Sequence, residues 1–218
     1  MTSVQVNKLS KRFGAKKIFT NVTFTISNGV TGIAGPNGSG KTTLLKCLSL
    51  LLRPTSGNVT WYNNDKKLSA ADVKKMMGYA APYLNHYAEL TCLENLNFIC
   101  QLRHIKNAEE RITTLLDKVG LHSKKDEQFG NLSSGQQQRI KLVAAILYKP
   151  QILFLDEPGT NLDQKGHDFI QSIAMEWKQE NRLLLLATND PQELELCDDI
   201  IHIDQFAYHQ NTRKIHSH

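Results

Sequence analysis

Cysteine is scarce and irregularly spaced: Cys47, Cys92, Cys100 and Cys197 are the only four in 218 residues, and no two form a CxxC pair. That scatter argues against a metal cluster or a disulfide framework and favours a reducing compartment, with the thiols serving as small core residues. Long apolar runs are also missing. Nothing approaches the roughly 18 consecutive apolar residues that a membrane helix needs. The opening MTSVQVNKLSKRF alternates like a strand and carries no secretory signal. A membrane role therefore requires a partner chain. There is no internal repeat, linker or low-complexity stretch. Neither charge sign dominates: 26 Lys and Arg against 21 Asp and Glu leave +5. That balance describes an ordinary surface, although it would also suit an anionic ligand. The tail HQNTRKIHSH is polar and reads as frayed. Its His209, His216 and His218 could attract a metal, but a solvated tail is the better account.

With 40% apolar and 22% charged residues, the chain has enough material for one sizeable core. We read residues 1–218 as a single α/β domain. Alternation in 4–9, 22–26 and 58–63 predicts half-exposed strands, forming an antiparallel β edge subdomain. In contrast, 30–34, 151–156, 182–188 and 199–204 are short and almost continuously apolar, as expected of a mostly parallel sheet core covered on both faces. Helices are expected over 41–52, 136–148, 163–179 and 191–197, giving β/α alternation. Between about 91 and 126, helix-period residues (Leu93, Leu96, Phe98, Ile99, Leu102, Ile112, Leu115, Leu116, Val119) predict an inserted α-helical subdomain, with outer limits of roughly 86–133.

The run GPNGSGKTT follows the strand VTGIA and opens a helix, matching the phosphate-binding pattern G-x-x-x-x-G-K-[ST] of P-loop NTPases in its required context. Gly35, Gly38 and Gly40 would let backbone N–H groups approach an anion at a helix N-terminus. Lys41 would pair with β and γ phosphates, and the Thr42 hydroxyl would bind Mg2+. Asn37, Ser39 and Thr43 complete the nucleotide-binding set. In ILFLDEP, four apolar residues carry Asp156 and Glu157 to a strand's C-terminal edge, where α/β sheets bind ligands. Asp156 fits as a Mg2+ anchor and Glu157 as the group polarising an attacking water. Taken alone, the pair could equally cap the following helix.

Some twenty residues upstream stands LSSGQQQRI, which alone is a common helix start. In this order and spacing, however, the chain resembles the ATP-binding cassette (ABC) ATPases across nearly its whole length, with LSSGQ in place of the family's LSGGQ signature. The resemblance implies that Phe13 stacks on adenine, where a half-buried strand residue would be the default. It also implies that Asp163, in TNLD, belongs to the D-loop. Two cassettes, either two copies or a paralogous pair, would meet head to tail, so that Ser133, Gly135 and Gln136 of one face the phosphate loop of the other. Ser134 replaces a family glycine, a change small enough to be tolerated.

The strand RLLLLAT ends in Thr188, Asn189 and Asp190, which would then face the terminal phosphate. Most family members place a histidine where Asn189 stands. An asparagine amide can donate to phosphate but cannot take a proton, which implies slow hydrolysis. Asn189 could instead, or also, be the N-cap of the DPQELEL helix. A second departure lies in MGYAAPYLNHYAEL: the family's metal-reaching glutamine aligns with Ala81 or Pro82, and Asn85 or His86 would substitute only if the loop bulges. Tyr83, Leu84 and Tyr87 suit a protein contact. The resemblance thus implies the ATP-hydrolysing subunit of an ABC transporter, using ATP and Mg2+ on the cytoplasmic face beside separate integral membrane subunits. Rival readings are a soluble ABC protein of DNA repair or translation and a nucleotide-gated regulator with little turnover. The mixed charges of 103–127 argue against nucleic acid as a partner.

Overall fold

A computed structural model describes residues 1–206; the tail with His209, His216 and His218 lies outside the described residues. The chain opens with β1 (Thr2–Phe13) and β2 (Lys16–Ile26), followed by β3 (Gly29–Ala34), α1 (Lys41–Leu48), β4 (Ser56–Asn63) and β5 (Lys66–Lys67). Next come α2 (Ala70–Met76), β6 (Met77–Ala80), α3 (Cys92–Leu102), α4 (Glu109–Lys118) and α5 (Ser134–Ile146). Last are β7 (Ile152–Asp156), α6 (Gln164–Gln179), β8 (Leu183–Thr188), α7 (Pro191–Leu194) and β9 (Asp199–His202). Two sheets result. One is antiparallel in the order β2-β1-β4-β5, and the other runs β6-β7-β8-β3-β9 with every pairing parallel.

Alternation builds the antiparallel sheet: Val4, Val6 and Leu9 point inward from β1, and Trp61 from β4. The three-residue step from Val6 to Leu9 is absorbed at Lys8, which takes φ 47 where the β1–β2 register shifts. In the parallel sheet the apolar runs serve both faces. Phe154, Leu183 and Leu185 join α1 (Leu44, Leu45, Leu48) and the antiparallel sheet in one core. Leu153, Leu155, Leu184 and Leu186 join α5, α6 and the helices α3 and α4 in the other. The Trp61 indole donates to the Leu48 carbonyl at 2.8 Å, tying the antiparallel sheet to α1.

Several expectations need correction. The helix expected over 41–52 stops at Leu48, because Leu50 turns left-handed (φ 58) and the N–H groups of Leu51 and Leu52 both close on the Lys46 carbonyl. The strand expected over 199–204 is not covered on both faces; β9 is an edge paired only to β3, and its Ile200 is exposed. In the helical segment Leu96, Ile112, Leu115, Leu116 and Val119 are buried, but Phe98 and Leu102 are exposed. The helix expected to begin at 136 begins at Ser134, because Ser133 and Gln136 close a capping box around its first turn.

Candidate functional site

Register brings the site together. Ala34 pairs with Thr188, and Asp156 with Ala187, so three strands end side by side at one edge of the parallel sheet. The chain leaving β3 then wraps into α1 through Gly40, an N-cap with φ 106. A Cβ there would stand 2.5 Å from Ile18 Cγ2, so the close approach requires glycine.

At the foot of this loop Lys41 is 4% exposed and donates to the Gly35 carbonyl at 2.8 Å. Its ammonium also lies 2.9 Å from Glu157 Oε1. Thr42 donates its hydroxyl to Asp156 Oδ1 at 2.9 Å. Burial pushes the Asp156 carboxyl above the usual range, and the Thr42 and Tyr83 hydroxyls oppose the shift. Glu157 sits at φ 47, a left-handed conformation that costs energy for a non-glycine residue, and its N–H is held by the Ala187 carbonyl of β8 at 2.8 Å. The Asn189 amide donates to Asn37 Oδ1 of the phosphate loop at 3.2 Å. The cap of α7 is Asp190, which accepts from Gln192 N–H at 2.9 Å, so Asn189 is not the helix N-cap.

Most of these groups border a cleft of about 550 Å³, a size that admits a nucleotide, while Asp156, 1% exposed, lies behind Thr42 and outside the lining. Asn37, Gly38, Gly40, Lys41, Thr42, Thr43, Pro82, Glu157, Thr160 and Asn189 line it, with Ile18 on one wall. The hydroxyl and carboxylate at its base are hard oxygen donors, the kind Mg2+ takes. Ser39 does not line the cleft; its hydroxyl is buried beneath the loop, where a Cβ on Gly35 would meet it at 2.7 Å. Phe13, Ser133, Gly135, Gln136 and Asp163 are also absent from the lining. Phe13 is exposed at the end of β1, with Lys11 4.8 Å above its ring. Asp163 caps α6 through Gly166 N–H at 3.0 Å and pairs with Arg139 of α5 at 3.5 Å. Gly135 packs so closely that a Cβ would stand 2.5 Å from the Asn161 carbonyl, whereas Ser134 beside it is exposed.

The loop after β6 departs most from the sequence reading. Ala81 is buried and Pro82 reaches the cleft, its carbonyl held by Lys141. His86 turns away to pack edge-on against Phe129 at 5.2 Å, where burial lowers its pKa to about 4. Neither His86 nor Asn85 lines the cleft. The residue that comes to the site is Tyr83, whose hydroxyl donates to Asp156 Oδ2 at 3.0 Å. The only sequence signal for it is its place just after the strand that pairs with β7.

A phosphate loop at the joint of a parallel strand and a helix, with two acidic residues at the end of β7, one strand removed across β8, defines a nucleotide-binding α/β protein of the P-loop class. Comparison with known proteins narrows this. The family model described as ABC transporter matches residues 19–160. The arginine transport ATP-binding protein ArtM of Bacillus subtilis is 30% identical over 93% of this chain and 88% of its own length. An uncharacterised ABC transporter ATP-binding protein of the same organism, YdbJ, is 34% identical over 93% of this chain, which spans 66% of YdbJ. A solved structure of the ATP-binding subunit of an ABC transporter superposes with a TM-score of 0.80 at 26% identity, covering 92% of this chain and 86% of that one. The chain belongs to the ABC transporter family and is an ATP-binding subunit of that type, in a family of ATPases. No helix among the described residues is long and apolar enough to cross a membrane.

Proposed function

We propose that this chain binds ATP with Mg2+ in the cleft between the phosphate loop and β7 and hydrolyses it to ADP and phosphate, as one cassette of a dimer that drives separate membrane subunits. The observation that carries this reading is the paired contact at the base of the cleft: Thr42 on Asp156 and Lys41 on Glu157, each at 2.9 Å. Thr42 and Asp156 are the residues that would hold Mg2+, which when bound would neutralise phosphate charge. Lys41 and the backbone N–H groups of Gly38 and Gly40 would hold the phosphates at the start of α1. The Lys41–Glu157 pair gives the residues an order of action. Phosphate competes for the Lys41 ammonium, and the Glu157 carboxylate thereby released can accept a proton from a water in line with the γ-phosphorus. Asn189, beside Asn37, donates an amide hydrogen bond to the same phosphate. Because it cannot take up a proton, turnover is slow.

Phe13 would stack on adenine. Ser133, Gly135, Gln136 and Asp163 do not line this chain's own cleft, which supports their serving the cleft of a second cassette, a copy or a paralogue. Residues 1–218 act as a single unit whose helical subdomain spans roughly 86–133, docked through integral membrane subunits on the cytoplasmic face. Equilibrium ATP binding and steady-state phosphate release, measured on the parent and Glu157→Gln, test the reading. Binding in both with turnover only in the parent supports it; parent turnover no higher than that of Glu157→Gln defeats hydrolysis and leaves a nucleotide-gated regulator.

A further inference from the structure

We infer that Tyr83 is a positioning residue for the Asp156 carboxylate, fixing the direction in which that carboxylate meets a divalent ion; the inference rests on the MgATP reading above. Strand β6 pairs with β7 up to Ala80 opposite Leu155, so the chain leaving β6 passes directly beside Asp156. There the Tyr83 hydroxyl donates to Oδ2 at 3.0 Å while Thr42 donates to Oδ1 at 2.9 Å. A carboxylate that is 1% exposed thus has one donor on each oxygen, and its torsion is set. Because the single proton of Tyr83 is committed to Asp156, the Tyr79 hydroxyl 2.9 Å away donates to Tyr83 in turn. Tyr79 is stacked on Phe154 of β7, with centroids 5.9 Å apart, so this chain of hydroxyls is anchored on the sheet that carries Asp156.

Tyr83 is 45% exposed and, by exposure alone, would pass for surface. Its ring is nonetheless held: the Lys46 ammonium of α1 stands 4.0 Å from the ring centroid. Helix α1, β7 and the loop after β6 therefore converge on one phenol. Partners that hydrogen-bond a metal ligand orient it, and their loss typically costs about 10–100-fold in metal affinity. The loss here falls toward the low end because Thr42 retains its hold on the other oxygen.

Tyr83→Phe in the full chain is the test, since it deletes the hydroxyl and keeps the ring over Lys46. Mn2+ standing in for Mg2+ is titrated by electron paramagnetic resonance with a non-hydrolysable ATP analogue, and analogue affinity is measured separately in chelator. The expected result is Mn2+ affinity at least threefold weaker, with chelator-state affinity unchanged within twofold. A change under threefold, or a tighter metal site, overturns the inference. A parent that shows no analogue-dependent Mn2+ binding overturns the MgATP reading itself.

Discussion

Helix α1 begins at the phosphate loop and helix α5 at LSSGQ, the segment proposed to serve a second cassette, and their first turns are built in opposite ways. The N-cap of α1 is Gly40, left-handed, with no side-chain capping bond and no acidic residue in the first turn. The N-cap of α5 is Ser133, whose Oγ accepts from Gln136 N–H at 3.4 Å while Gln136 Oε1 accepts from Ser133 N–H at 3.0 Å. A helix start without side-chain acceptors offers its N–H groups to an anion, and one with a closed capping box has satisfied two of them already. The α1 end therefore needs only phosphate, and it has an ammonium in place. The α5 end stands away from its own cleft, and a ligand brought to it must compete with the box. This difference supports the division into a half that acts within the chain and a half that acts across a dimer.

Breaking the first half gives the largest effects. Glu157→Gln is expected to lower steady-state phosphate release by about 10²–10⁴-fold with ATP binding retained. Lys41→Ala removes the buried ammonium, and ATP affinity measured by calorimetry should fall by about 10–100-fold. The support beneath this half responds to pH. Glu193 is 3% exposed, and burial pushes its carboxyl up to about 7, with Asp190 and Glu157 adding to the shift. Its folded pKa lies above the ordinary carboxylate value, so the native state holds the proton more tightly. Stability is then lost as pH rises through that window. Glu193→Gln should raise urea stability at pH 8 by at most about 3 kcal/mol, and the gain should shrink as pH falls and vanish below the ordinary carboxylate range.

Breaking the second half is milder in one chain and visible in two. Ser133→Ala should cost about 1 kcal/mol of unfolding free energy through loss of the cap. Placed on Glu157→Gln, it should abolish ATP-dependent dimerisation in size-exclusion chromatography while monomer ATP affinity stays within twofold. Asn189→His sharpens the comparison from the first half, with an expected gain of about fivefold in turnover from a charge-assisted contact.

The parts legible in advance were those written over short spans. Lys41, Thr42, Asp156 and Glu157 were legible because a glycine-rich loop after an apolar strand, and carboxylates at the end of another, locate themselves. Of the polar triplet after RLLLLAT, expected to face the phosphate as a group, only Asn189 lines the cleft; Thr188 is buried and Asp190 caps α7. Asn189 as a possible cap was misplaced by one residue, since the backbone turn makes Asp190 the acceptor. The burial of the Ser39 hydroxyl was not legible, because it depends on how the loop folds over itself. Tyr83 was read as contact surface because nothing nearby in the chain reveals a carboxylate 73 positions on.

The order of residues alone determined the two kinds of strand, the phosphate loop and the acidic strand end, because apolar periodicity and glycine placement act over a few residues. Only the tertiary structure decided which strands neighbour one another, and so which side chains share the cleft. It paired Lys41 with Glu157, brought Tyr83 to Asp156, turned His86 onto Phe129, and kept Ser133 apart from the phosphate loop of its own chain. Those outcomes depend on strand order and register, which are settled by burying both faces of one sheet at once and cannot be settled by any single segment.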